Sequence, residues 1–367
     1  MKKVLAATLC LILSGSLLAG CTGNTAPEEV TSDTSLYSTS EITTTTTSET
    51  SASTTTTEET TTETTKERWF TFQPKVTSSF IKEVYGQDKI DAWYSLVDAV
   101  MAGEDTFECK DAHTYFWTIS DFPNRCFPVL EKIVGTVGEP PNVEVNGTAK
   151  FKYKVPKEEA KKMIDDFIVL VEDIINEVIK PEYNDFEKAL ALYSYFARTY
   201  TYDYDTFNLI ESDPAKANYT CPYRLMTEKT GVCAEISEAY SFLLTQVEVE
   251  ASVVIGGEHE WSIIKIGDNY YHIDPTFELN SWDDLQYFMM TDKQRYSQYT
   301  VKKDDRHYVG MYSPEKDPDY SAKDDSFKKM WDATLESFDP ETKILKYVIR
   351  DDNGNDSYGE FDYSIYN

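Results

Sequence analysis

Between residues 22 and 66 the chain carries almost no large apolar side chains. It is mostly Thr, Ser and Glu, with unbroken runs at Thr43–Thr47 and Thr54–Thr57. Such a stretch has nothing to bury, so it cannot offset the entropy lost on ordering its backbone. A packed structure is therefore confined to the chain from Trp69 onward, where the composition turns aromatic-rich and patterned. That remainder is long enough for one large domain or two small ones.

Ahead of the tract stands an address. Lys2 and Lys3 open the chain, Val4–Leu13 is an apolar run too short to span a bilayer, and Leu18-Ala19-Gly20-Cys21 comes next. These residues resemble a bacterial lipobox. The resemblance implies that residues 1–20 leave as a signal peptide and that Cys21 takes a lipid, with 21–66 as the tether between lipid and domain. A lipid anchor holds a protein on a membrane surface without spanning it. The expected location is the outer face of a bacterial cytoplasmic membrane.

The formal net charge is −29, and losing Lys2 and Lys3 makes it more negative still. A surface this acidic argues against nucleic acid as a partner and says nothing specific about catalysis. Cys109, Cys126, Cys221 and Cys233 remain after the leader. An exported domain tolerates disulfides, so Cys109–Cys126 is a candidate pair. No CxxC occurs, and the only histidines are His113, His259, His272 and His307. A structural zinc site is therefore not expected, and no cofactor is either.

Helices come first and strands later. Residues 87–102 space Ile90, Trp93, Val97 and Val100 at helical intervals and stop at Gly103. Lys150–Val155 alternates as a half-buried strand. After Pro156 a long amphipathic helix covers about 157–180. Asn184 with Glu187 reads as a capping box opening a second helix, with Phe186, Leu190, Tyr193 and Phe196 or Ala197 inward. Near the C-terminus, DDNGND (Asp351–Asp356) lacks the glycine that a calcium loop needs at its sixth position. It reads as a turn between strands Ile344–Arg350 and Glu360–Tyr366.

The stretch from Gly231 to Glu278 carries the chemistry. Gly231-Val232 is a turn, and CAEISEAYSFLLTQV is a helix with Ile236, Ala239, Tyr240, Leu243 and Leu244 at core spacing. Cys233 therefore sits at a helix N-terminus, where unpaired N–H groups favour an anion and lower a thiol's pKa. Strands come after it at Ala251–Ile255, about Glu258–Ile266 and about Tyr270–Asp274. If Gly267-Asp268 is the hairpin loop, Ile266 faces Asn269. Trp261 then faces Asp274 and His259 faces Thr276, which makes His259 and Asp274 diagonal neighbours on one face. A thiolate attacks a carbonyl, an imidazole carries the proton, and a carboxylate fixes the ring's tautomer. Taken singly, each residue has a structural reading, and His272 is a rival base on the same face.

GVCAEISEAYSFLL around Cys233, HEW at His259–Trp261 and YYHIDPTFE ending at Glu278 together resemble the transglutaminase-like superfamily, a papain-like fold that includes transglutaminases and bacterial cysteine peptidase relatives. DLQYFMMTD (Asp284–Asp292) resembles a trailing motif of its bacterial members, and FEKALALYSYFARTYTYDYD (Phe186–Asp205) the helix before the core. The resemblance covers roughly 185–295. One departure is Ser262, where the family often has Asn.

By this resemblance the fold is α+β and papain-like, with a nucleophile helix packed on an antiparallel sheet. Cys233 is then the nucleophile, His259 the base and Asp274 the orienting carboxylate. The expected domains are an N-terminal helical part at 67–150, the transglutaminase-like core at 151–300 and a β-rich extension at 301–367. The expected activity is on protein or peptide amides through a thioester, with hydrolysis preferred. Amine transfer and a non-catalytic surface module are the alternatives.

Overall fold

The structure is a computed structural model that describes residues 68–138, 143–213, 221–280, 283–297, 306–311 and 318–367. Cys21, the leader and the Thr/Ser/Glu tract lie outside the described residues. No helix of the described residues is long and apolar enough to cross a membrane.

The N-terminal region runs α1 (Ser79–Tyr85), α2 (Gln87–Ala102), β1 (Thr106–Glu108), α3 (Ala112–Ser120), α4 (Phe122–Cys126), α5 (Leu130–Ile133), β2 (Val134–Thr136) and β3 (Thr148–Tyr153). The spacing in α2 buries Ile90, Trp93, Leu96, Val97 and Val100, and Gly103 ends the helix at φ 73° in the left-handed region that suits glycine. The region is not helical alone. β1, β3 and β2 form a small antiparallel sheet in that order. Its central strand starts two residues before the expected Lys150, because Thr148 already pairs with Glu108, and it ends where Tyr153 pairs with Val134.

Two long helices come next, α6 (Lys157–Val178) and α7 (Asp185–Thr199). α6 buries Ile164, Phe167, Val171, Ile174 and Ile175 on one stripe. α7 opens with the expected capping box. Asn184 Oδ1 accepts from the Glu187 N–H at 2.9 Å, and Glu187 Oε2 accepts from the Asn184 N–H at 2.9 Å. The chain leaves α7 through β4 (Thr201–Tyr202), α8 (Tyr204–Ser212) and α9 (Pro222–Glu228), and β5 (Thr230–Gly231) then pairs in parallel with β4.

The central layer is α10 (Cys233–Gln246) against a four-stranded antiparallel sheet of β6 (Ala251–Gly256), β7 (His259–Ile266), β8 (Asn269–Ile273) and β9 (Arg306–Tyr308), ordered β8-β7-β6-β9. Ile266 pairs with Asn269, so the hairpin turns on Gly267-Asp268 with Gly267 at φ 58°. The ladder stops at Ser262↔Ile273. Asp274 leaves it to cap a short 3-10 helix, Pro275–Glu278. Proline cannot donate to a ladder, so the strand ends one residue before the expected Asp274.

After α11 (Asp292–Ser297), the C-terminal region forms a second antiparallel sheet of β10 (Thr334–Asp339), β11 (Ile344–Arg350) and β12 (Asp356–Asp362). The DDNGND turn is there, but its second strand is Asp356–Asp362 rather than Glu360–Tyr366. The Asp351 carboxylate accepts the N–H groups of Asn353 at 2.9 Å and Asn355 at 2.8 Å, which closes the loop early. Buried Glu187 joins this sheet to α7: its Oε1 accepts from Lys343 Nζ and from the Tyr363 hydroxyl, both at 2.9 Å. One apolar cluster runs from Phe70 to Tyr366.

Candidate active site

Val232 precedes α10 in extended conformation, and Cys233 is the first helical residue, 1 % exposed. Two residues on, the fully buried Glu235 anchors the turn. Its carboxylate accepts the N–H groups of Val232 at 3.0 Å and Cys221 at 2.9 Å. Arg224 on α9 grips it with Nε at 2.8 Å and Nη2 at 2.6 Å, and reaches Asp203 with Nη1 at 2.8 Å. A Cβ at position 231 would lie 2.8 Å from Glu235 Oε2 and 2.9 Å from Leu225 Cδ1, so the turn needs glycine there. Burial raises the Glu235 pKa and Arg224 opposes that rise.

α10 packs against β6, β7 and the 3-10 helix. Those last two elements carry the other two candidates: His259 begins β7, and Asp274 caps the 3-10 helix. His259 Nε2 stands 2.8 Å from Asp274 Oδ2, with the histidine 5 % exposed and the aspartate 0 %. A carboxylate accepts only, so this nitrogen carries the proton. Asp274 Oδ1 accepts from the Thr276 N–H at 3.2 Å, and the Asp274 N–H donates to Tyr287 O at 2.9 Å. Phe277 flanks the imidazole at 5.0 Å between ring centroids.

His272, the rival base, is built into the wall. The Trp261 indole N–H donates to its Nδ1 at 3.0 Å, and its Nε2 donates to Asp292 Oδ1 at 3.1 Å. Burial lowers its pKa, outweighing Asp292. Both ring nitrogens are engaged, so this histidine does not share Asp274. Ser262, on the opposite side of β7 from Trp261, donates to Ser237 O at 3.1 Å and lies 3.0 Å from Ser241 Oγ. It fastens the strand to α10.

Sequence reasoning missed Arg224, Glu235 and Arg295. Arg295, 1 % exposed, lies with its guanidinium 3.9 Å from the Trp261 ring centre and Nη2 3.5 Å from Asp274 Oδ2. A charged residue three positions after Asp292, on a short helix with one polar and one aromatic neighbour, gave no periodic signal. The Glu235 signal was legible: an acidic residue in the first helical turn two positions past a candidate thiol needs a counter-charge.

None of Cys109, Cys126, Cys221 and Cys233 is in a disulfide, so the candidate Cys109–Cys126 bond does not form. Burial raises the pKa of Cys109, Cys126 and Cys221. Among the described residues no group of three or more His, Cys, Asp or Glu could hold a metal ion.

The family model described as "Transglutaminase-like superfamily" matches residues 172–285. No curated protein matches the chain. A solved structure described as "Crystal structure of a TGase" aligns at 15% identity with a TM-score of 0.28, covering 50% of this chain and 53% of that one. The chain thus spans about half of that protein's length, and at this score the likeness adds nothing to the family match. The match begins within α6 and takes in α7, α10 and the β6–β8 sheet with Cys233, His259 and Asp274 in order. Residues 172–285 of this α+β chain therefore form a domain of the transglutaminase-like superfamily, with its papain-like core.

Proposed function

We propose that the protein is a thiol enzyme that acts on protein or peptide amides through a thioester. The observation that carries this reading is the buried His259–Asp274 pair at 2.8 Å, on two of the elements that pack against α10, the helix that Cys233 begins. Asp274 fixes Nε2 as the protonated nitrogen, so Nδ1 is the one that exchanges a proton. The Cys233 thiol gives its proton to Nδ1, and the thiolate attacks the amide carbon. The oxyanion forms beside the N-terminal N–H groups of α10, which are aimed to stabilise negative charge. The imidazolium then protonates the leaving amine, and the C–N bond breaks to leave a Cys233 thioester. Water, deprotonated by His259, hydrolyses it to the acid and restores the thiol.

Hydrolysis is the preferred outcome because water is abundant. Capture of the thioester by an amine would make the enzyme a transglutaminase. The test is to measure peptide cleavage and incorporation of a labelled primary amine into a glutamine-rich protein, with wild type and Cys233→Ala. The reading predicts that one of the two activities is present and is abolished by the substitution. It fails if neither depends on Cys233.

The sequence ending at Cys21 supports a further part of the reading, attachment to the outer face of a bacterial cytoplasmic membrane by lipid. Cys21→Ala is then expected to move the protein from the membrane fraction to the soluble one.

A further inference from the structure

Behind Asp274 lies a wall that the chemistry of the thioester does not use. Trp261, His272 and Arg295 are each 1 % exposed or less. The indole N–H is fixed on His272, His272 is fixed on Asp292, and Asp292 Oδ1 also accepts the Ala322 N–H at 3.0 Å. Arg295, one helical turn after Asp292, lies over the held indole at 3.9 Å. A guanidinium prefers such a face and keeps its charge when buried. The chain Asp292–His272–Trp261 therefore holds Arg295 where its Nη2 meets Asp274 at 3.5 Å, on the same oxygen that faces His259.

We propose that Arg295 is a positioning residue for the reacting pair: held flat on Trp261, it sets a second positive charge against the Asp274 oxygen that faces His259. The inference rests on the role given to His259 and Asp274 under the proposed function. The physical reason is that one carboxylate oxygen here serves two cations. Its attraction for an imidazolium is reduced by a guanidinium already beside it, and in a site this dry the reduction is little screened. Removing the Arg295 charge is therefore expected to strengthen the attraction of Asp274 for an imidazolium at His259.

The variants leave in place the other titratable groups on the elements packed about the pair. They are Cys233 on α10, Glu260 next to His259 on β7, Tyr193 on α7, Glu278 on the 3-10 helix, His272 on β8, Arg306 on β9, and Asp292 and Tyr296 on α11. Tyr193 donates to Glu278 and feels the Asp274 charge, and Arg306 acts on His272 and Tyr296.

The test is an NMR titration of the histidine rings in the full chain, with the His259 signal assigned by its loss in His259→Asn. Wild type, Arg295→Lys, Arg295→Met and Arg295→Gln are compared. Lysine keeps the charge, so Arg295→Lys is expected to titrate close to wild type. Arg295→Met should raise the His259 midpoint by about one pH unit, the lower end of a neighbouring-charge effect. Arg295→Gln should do the same and substitutes for the methionine variant if that one does not fold. A merely structural arginine would alter stability in the neutral variants without moving the His259 midpoint. An unchanged midpoint in a folded neutral variant overturns the proposal, and so does a rise in Arg295→Lys as large as in the neutral variants. Alkylation of Cys233 in the same samples separates the two readings. If the midpoint moves but Cys233 is inert in wild type, the enzyme reading fails and the role of Arg295 stands.

Discussion

Arg224 closes a two-pronged bond on Glu235, at 2.8 and 2.6 Å, two residues beyond Cys233. Glu235 is fully buried and already accepts two backbone N–H groups, from Val232 and Cys221. The arrangement fixes the turn that aims Cys233. It also cancels a negative charge that would otherwise oppose a thiolate at the helix start. Removing one member of a buried pair leaves the other uncompensated and costs ~3–5 kcal/mol. Arg224→Met is therefore expected to lower stability by about that amount in urea unfolding. The double variant Arg224→Met, Glu235→Gln should recover a large part of it. Arg224→Lys should fall between, because an ammonium cannot make the paired contact. Equal losses in the single and double variants would contradict this role for the pair.

A second prediction concerns pH. Glu260 is next to His259 on β7 and accepts from Ser237 Oγ at 3.0 Å. Burial pushes its pKa up to about 7, against the lowering effects of Arg125 and Ser237. The folded state thus binds the Glu260 proton more tightly than the unfolded chain does. The stabilisation is complete below the unfolded carboxyl pKa, roughly 4.3. It is lost as pH rises toward about 7. Melting temperature should fall across that window in wild type, and Glu260→Gln should flatten the fall. An equal slope in the two proteins would show that Glu260 is not held protonated.

Glu187 provides a third. One carboxylate caps α7, through Asn184, and ties down the C-terminal sheet, through Lys343 and Tyr363. Glu187→Ala should cost ~1–3 kcal/mol, the range for leaving a buried hydrogen-bonding group unsatisfied. Hydrogen exchange should speed up mainly in β10–β12, with α10 still protected. Uniform loss of protection would mean that Glu187 is general core rather than a local fastening.

Much of this fold was legible because its signals are local. The α2 periodicity, the Asn184–Glu187 cap and the Gly267-Asp268 turn each lie within a few residues, and each fixes its own geometry. The turn also set the 266↔269 register that brings His259 toward Asp274. What escaped depends on contacts distant in sequence. Arg295 meets Asp274 across 21 residues and Trp261 across 34, and neither spacing has a period. His272 looked equivalent to His259 by strand parity. Only the tertiary partners, Trp261 and Asp292, show that its ring is committed. The β12 boundary was missed because side-chain capping by Asp351, not hydrophobic pattern, decides where that loop closes.

The role of Asp274 can be tested apart from that of Cys233. Asp274→Asn keeps the shape but presents an amide to His259 Nε2, which permits the wrong ring tautomer. Turnover should fall by about 10²–10⁴-fold, the scale of a lost general base. The loss should be mainly in kcat and not in KM, because Asp274 is buried behind the imidazole. A change confined to KM would place Asp274 in substrate binding instead.

The most direct test of the proposed nucleophile is the pH dependence of iodoacetamide alkylation at Cys233, read by peptide mapping in wild type and His259→Asn. Cys233 is expected to react near pH 6 well ahead of Cys109, Cys126 and Cys221. Removing the imidazole is expected to shift the profile up toward an ordinary thiol, near 8.5. If Cys233 reacts no faster than the other three cysteines, and its profile is the same without His259, these residues do not form a working nucleophile.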